Sequence, residues 1–167
     1  MNEEIINAFQ QSTECVFKTM LGLDVTHGPA RQCDRMTARH PVSGIIGLSG
    51  EMSGDVIVSF EERVATLATA ALLGEEPDGL NDDVVDAVGE LTNMIAGGAK
   101  GTLGRGDMQL ALPTVILGAG HRIGFSSGIR PISIEFQSSW GAFCIDIGLT
   151  EADENGPRRT KALAEAI

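Results

Sequence analysis

The sequence has no tyrosine, one tryptophan and six phenylalanines, so aromatic residues make up only 4% of its 167 positions. The core is therefore expected to rest on Val, Ile, Leu, Ala and Met. Cysteines are few, odd in number and far apart (Cys15, Cys33 and Cys144), which excludes a disulfide-stapled fold. No Cys-x-x-Cys occurs, and His27, His40 and His121 lack ligand spacing, so no metal centre is expected. The thiols read as free and buried in a reducing compartment. Cationic side chains are also scarce, with 12 Lys and Arg against 23 Asp and Glu and a formal net charge of -11. That balance disfavours nucleic acid and anionic membrane surfaces, whose phosphates would be repelled. It suits a basic partner, or one presenting a single buried Lys or a bound metal. No apolar run reaches transmembrane length, and Met1-Asn2-Glu3-Glu4 has neither the basic nor the apolar region of a signal peptide. A cytoplasmic protein is the expectation.

Hydrophobic residues nonetheless make up 43% of the chain, enough for a packed core, and 167 residues suit one compact domain. The 21 glycines are scattered rather than periodic. Ile5, Ile6, Phe9, Val16, Phe17 and Met20 recur at helical spacing up to Gly22, which predicts a helix over 2–20. A short strand is expected over 23–26, followed by an ill-defined stretch around Gly28 and Pro29. A strand over 42–49, a turn over 50–54 and a returning strand over 55–60 predict a hairpin. A second helix is expected over 61–73, with Val64, Leu67, Ala68, Ala71 and Leu72 inward and Gly74 past its end. A third runs from Asn81 or Asp82, which suit its cap and dipole, to about Gly101. Strands are expected near 108–110, 114–117, 132–137 and 142–149, the last two joined by a turn at 138–141. The chain then turns polar, so that residues 1–150 form the domain and 151–167 a polar tail, expected to be mobile over 151–159 and to add one helical turn over 161–167. The fold class is α/β of the α+β type: a mostly antiparallel sheet with helices packed on one face.

On a helical wheel the third helix places Val84, Val88, Leu91, Ile95 and Ala99 on one face. Opposite lie Asp86, Glu90, Asn93 and Gly97, with Glu90 and Asn93 one turn apart. A polar stripe alone proves nothing, but two features do not serve stability. Asn competes with the backbone inside a helix, and Gly97 and Gly98 each cost about 1 kcal/mol relative to Ala. Either the bare backbone admits another molecule beside Asn93, or the helix ends there with Gly as its stop signal.

The run Asp86-Ala87-Val88-Gly89-Glu90-Leu91-Thr92-Asn93-Met94-Ile95-Ala96-Gly97-Gly98-Ala99-Lys100, followed by Leu112-Pro113-Thr114-Val115, resembles the CheC and CheX phosphatases of chemotaxis. The likeness extends from the first helix to about Leu149, and a single signature looks CheX-like. Glu4-Ile5-Ile6-Asn7 repeats the bare Glu-x-x-Asn pattern without its flanks. Gly98 stands where the family commonly has a second Asn.

The resemblance implies a substrate: a CheY-like receiver domain phosphorylated on Asp. Its acyl phosphate already has a good leaving group, and hydrolysis depends mainly on placing a water in line with phosphorus. A carboxamide can accept one hydrogen bond and donate another, which is the role implied for Asn93. Glu90 would pair with the receiver's Lys, Asp86 would help at the rim and Gly97 would permit the approach. Mg²⁺ would belong to the receiver, and this chain would carry no cofactor of its own. A homodimer paired through the sheet is implied too. A non-catalytic receiver-binding adaptor or switch module of the same fold stays open as the alternative.

Other motifs lead nowhere. Gly97-Gly98-Ala99-Lys100-Gly101-Thr102 lacks the order of a P-loop and ends a helix rather than starting one. Gly118-Ala119-Gly120 precedes no helix, Arg105-Gly106-Asp107 is a chance tripeptide, and His121 reads as a turn residue.

Overall fold

A computed structural model describes residues 2–34, 36–37 and 39–152. The tail expected from 151 starts later than composition suggested, because Glu151 still pairs with Met52 in the last strand and the Ala152 amide donates to the Glu51 carbonyl. Residues 153–167, with the turn expected over 161–167, lie outside the described residues.

The chain opens with α1 (Asn2–Val16), whose last turn widens into a π-helical segment over Phe17–Leu21. Gly22 stops it at φ 63°, a left-handed conformation that costs glycine nothing. The wider turn explains one departure from the wheel. A π turn shifts the angular step, so Leu21 turns into the core while Met20 is left 40% exposed.

Short strands β1 (Val25–His27), β2 (Arg31–Gln32) and β3 (Met36–Thr37) precede the long hairpin β4 (Val42–Ser49) and β5 (Met52–Phe60). The hairpin turn is shorter than the glycines suggested, because β5 begins at Met52. Gly54 belongs to the strand. It adopts φ 143°, and a Cβ there would lie 1.9 Å from the Gly148 carbonyl oxygen of the neighbouring strand. The glycine serves close strand approach rather than a turn. Helix α2 (Glu62–Leu73) follows, rotated from the expected face: Ala65 and Thr69 are buried beside Val64 and Ala68, while Ala71 is exposed. Helix α3 (Asp82–Leu103) starts at Asn81, whose side chain accepts hydrogen bonds from the amides of Asp83 and Val84. Then come β6 (Gln109–Leu110), β7 (Thr114–Leu117), β8 (Ile123–Gly124), β9 (Ile132–Ser138) and β10 (Gly141–Glu151).

The main sheet runs β1-β9-β10-β5-β4-β6, with β2 also on β9 and β7 also on β4, and β3 pairs separately with β8. Among the described residues every strand pair is antiparallel. Register sets Val42 opposite Phe60, Phe60 opposite Phe143 and Phe143 opposite Phe136, so one sheet face carries a row of large apolar groups. The helices cover that face.

The core is made mostly of Val, Ile, Leu, Ala and Met, as the composition suggested, packed around a group of stacked rings. Aromatics are few, yet all six phenylalanines are buried. Phe17 of the π turn stacks on Phe143 at 4.5 Å between ring centroids, and Phe143 stacks on Phe136 at 5.0 Å. Offset ring pairs of this kind contribute about 0.5–1.5 kcal/mol beyond their burial. Val, Ile, Leu, Ala and Met fill the space around this stack.

The second sheet face is more polar. Ser43 lies against Ser59 at 2.9 Å and His121 Nε2 at 2.8 Å, while His121 Nδ1 sits 2.6 Å from the Gly118 carbonyl. His121 thus tethers its turn to the sheet. The three cysteines are free, but Cys15 is exposed, contrary to the reading that all are buried. Its place on the outer side of α1 escaped that reading because cysteine is buried so commonly. Burial, with Asp146 nearby, pushes the Cys33 thiol up to about 11, and burial pushes Cys144 higher still. Both stay protonated and unreactive near neutrality.

Candidate functional site

Helix α3 is seated by its apolar face. Val84, Val88, Leu91, Ile95 and Ala99 are fully buried against the sheet and α1. At 22 residues the helix is about 33 Å long, and it continues well past Gly97 and Gly98. The glycine pair is therefore no stop signal.

The four candidate residues fall into two environments. Asp86 and Glu90 are exposed, whereas Asn93 and Gly97 are half-buried. The reason is the segment following β6, which runs antiparallel alongside α3. A Cβ on Gly97 would touch Leu110 at 3.7 Å, and one on Gly89 would touch Pro113 at 3.5 Å and Val115 at 3.7 Å. The stripe is thus not open along its length: Gly97 faces the chain's own Leu110, and only Asp86 and Glu90 stand fully clear. Sequence periodicity could not show this flank, because it comes from residues more than a dozen positions away. Its one trace was the Leu-Pro dipeptide at 112–113.

Among the described residues, neither the Asn93 amide nor the Glu90 carboxylate has a hydrogen-bond or ion-pair partner, and neither counts among buried unsatisfied atoms. Both groups therefore face water. This contrasts with the other Glu-x-x-Asn match, where Glu4 is held 3.5 Å from Arg105. A mid-helix Asn that makes no structural hydrogen bond loses helix propensity with nothing gained in the fold. The upstream Asp82 and Asp83 are exposed on the same helix, so the approach to Glu90 is strongly acidic. A cavity of about 560 Å³ lined by Thr26, His27, Arg39, His40 and Glu135 lies across β9 and includes no residue of α3. Asp86 and Glu90 stand on the exposed surface of the helix, with Asn93 and Gly97 beside the strip that flanks it.

Gly98 points elsewhere. A Cβ there would fall 2.3 Å from Ser12 Oγ and 3.2 Å from Ser12 Cβ, at the crossing of α1 over α3. Ser12 is buried and donates to the Ile95 carbonyl at 2.7 Å. Glycine at 98 lets the two helices approach, and the residue is part of that packing rather than of the polar stripe. Gly98→Asn is expected to destabilise the protein by about 1–3 kcal/mol through overpacking. Ser12→Ala in the same chain should recover part of the loss, since it removes the nearest atom. Denaturant unfolding of the two single variants and the double variant checks this. An additive result would mean that 98 and 12 do not share the space.

The antiparallel sheet, the three helices on its apolar face and the polar stripe of α3 define a CheC/CheX-like fold. The chain belongs to the chemotaxis phosphatase CheX family, whose profile matches residues 42–137. The CheY-P phosphatase CheX of Thermotoga maritima is 30% identical over 98 residues, which span 58% of this chain and 63% of that protein. The crystal structure of chemotaxis protein CheX from Vibrio vulnificus superposes with a TM-score of 0.81 at 38% identity, covering 88% of this chain and 99% of that one. CheX in the CheX-CheY-BeF3-Mg²⁺ complex of Borrelia burgdorferi superposes with a TM-score of 0.74 at 24% identity, covering 87% and 97% of the two chains. That last likeness is one of fold.

Proposed function

We propose that this chain, through its domain over residues 1–150, hydrolyses the acyl phosphate of a CheY-like receiver domain. Asn93 orients the attacking water and Glu90 docks on the receiver's Lys. The supporting observation is the pair itself: an amide and a carboxylate one turn apart on α3, both without partners among the described residues. Family membership supports the same reading, as do the relative named for CheY-P phosphatase activity and the fold likeness to a CheX seen in complex with CheY.

In the proposed step, water oxygen bonds to phosphorus while the bond from phosphorus to the Asp carboxylate oxygen breaks. The electron pair of the broken bond stays on the carboxylate, and the proton shed by the water passes to solvent. The leaving group needs no acid, so the contribution asked of this chain is position. An amide fills that role by holding the water between its carbonyl and its NH2, where a carboxylate would repel the phosphoryl oxygens. Glu90 supplies the charge-assisted contact that fixes the docking angle. Asp86 flanks it at the rim, and Gly97, packed beside Leu110, adds no side chain next to Asn93. Mg²⁺ belongs to the receiver.

The test is the decay of the phosphoryl group on receivers phosphorylated with acetyl phosphate in Mg²⁺, with and without this protein. Unchanged decay across the candidate receivers of the same cell would overturn the proposal. The protein is further proposed to act in the cytoplasm as a homodimer joined through the sheet. Light scattering should then give twice the 17.6 kDa chain mass, and a mass of one chain would refute the dimer.

A further inference from the structure

Leu112 is 92% exposed, a state that contributes nothing to folding for a side chain of its size. Single exposed apolar residues are ordinary on protein surfaces, and among the described residues Met20 at 40% and Leu73 at 55% lie where helices end. Leu112 differs in position and in support. Leu110 lies against Gly97, and Pro113 lies against Gly89. Gly89 and Gly97 are about 12 Å apart along α3, so the residues between Leu110 and Pro113 pass at the level of Glu90 and Asn93. The strip is held from both sides. The Ala111 amide donates to the Gly47 carbonyl at 2.9 Å, and β7 begins at Thr114, paired with Ile45. Ala111, like Leu112, is exposed.

We propose that Leu112 is a docking residue for the receiver domain, seated in an apolar depression beside the receiver's phosphorylation site. The inference rests on the proposed function and names a further contact of the same site. The occupant follows from continuity. A molecule whose reacting group is presented to Asn93 must also cover the adjoining strip, and Leu112 is the apolar side chain standing out of it. The acidic helix supplies charge to orient the partner, and Leu112 supplies burial, the usual division between polar rim and apolar anchor in an interface. As a positioning contact it does not touch the phosphoryl group. Its loss should therefore appear in the receiver concentration needed for half-maximal rate, not in the maximal rate.

The experiment compares wild type, Leu112→Ser and Leu112→Met on a CheY-type receiver phosphorylated with acetyl phosphate, over a range of receiver concentrations. Binding of the beryllofluoride form of the same receiver and thermal unfolding are measured in parallel. Leu112→Ser is expected to raise KM about tenfold, the scale of losing part of a leucine's burial, with kcat within twofold and the melting temperature unchanged. Leu112→Met should restore most of the loss. An unchanged KM, a loss confined to kcat, or a fall in melting temperature matching the loss would overturn the inference while leaving the phosphatase reading in place. If wild type does not speed phosphate loss, the phosphatase reading fails. Weaker binding of the beryllofluoride receiver by Leu112→Ser would then still support docking, and equal binding or none would refute it.

Discussion

Asn93→Ala is expected to slow receiver dephosphorylation about 100-fold or more, back towards the receiver's own decay, without lowering the melting temperature. The size follows from the proposed role. If the chain's contribution is to hold one water in line, removing the only group that holds it forfeits the positional advantage, and small misplacements already cost about two orders of magnitude. The unchanged stability follows from the structure. The Asn93 side chain makes no hydrogen bond to any described residue, and it occupies a helix interior where Ala is intrinsically favoured by about half a kcal/mol. Asn93→Asp separates positioning from mere polarity. It keeps size and shape but adds charge facing the phosphoryl oxygens, so it should be as inactive as the alanine variant. Decay curves for the three proteins, with thermal unfolding alongside, decide the matter. Wild-type rates from Asn93→Ala would remove Asn93 from the mechanism.

What was legible in the sequence was what local chemistry decides. The core face of α3, its Asn81 cap and the strands β4 and β7 follow from period, cap and β-branched content, each readable within a few residues. The polar stripe with Asp86, Glu90, Asn93 and Gly97 was legible for the same reason, since a helix fixes angles between neighbours. The surroundings of that stripe were not, because they are built from distant segments. Leu110 on Gly97, Pro113 on Gly89 and Ser12 at Gly98 are contacts across 13, 24 and 86 positions, and glycine carries no mark of what it admits. Gly54 likewise reads as a turn in isolation and proves to be a strand residue under the Gly148 carbonyl. The π turn at 17–21 was hidden because a helical pattern does not announce one extra residue. Each miss is a tertiary contact or a backbone irregularity overriding a local rule.

Gly44→Val should be the most destabilising of the changes considered, by about 3 kcal/mol, or roughly 10 °C in melting temperature for a chain of this size. Gly44 lies in β4 between Val58 of β5 and Val115 of β7, and α3 rests directly on its backbone. A Cβ there would stand 2.0 Å from Thr92 Oγ1, 3.0 Å from Thr92 Cβ and 3.3 Å from Thr92 Cγ2. Thr92 has little room to yield. It is fully buried, and its hydroxyl donates to the Val88 carbonyl at 2.7 Å. Adding a branched side chain therefore lifts the middle of α3 off the sheet. Thr92 precedes Asn93, so the displacement reaches the proposed water-positioning residue directly. Receiver dephosphorylation should fall at temperatures where the variant is still folded. Gly44→Ala combined with Thr92→Ala clears the hydroxyl and the methyl, leaving only the Cβ contact, and should recover most of the stability and the rate. Chemical unfolding of the Gly44→Val variant and of the double variant, with rates measured well below each midpoint, tests both halves. A Gly44→Val protein that unfolds with wild type would mean that α3 does not sit on β4 at this glycine. One that is destabilised yet keeps the full rate would mean that the seat of α3 does not govern where Asn93 stands.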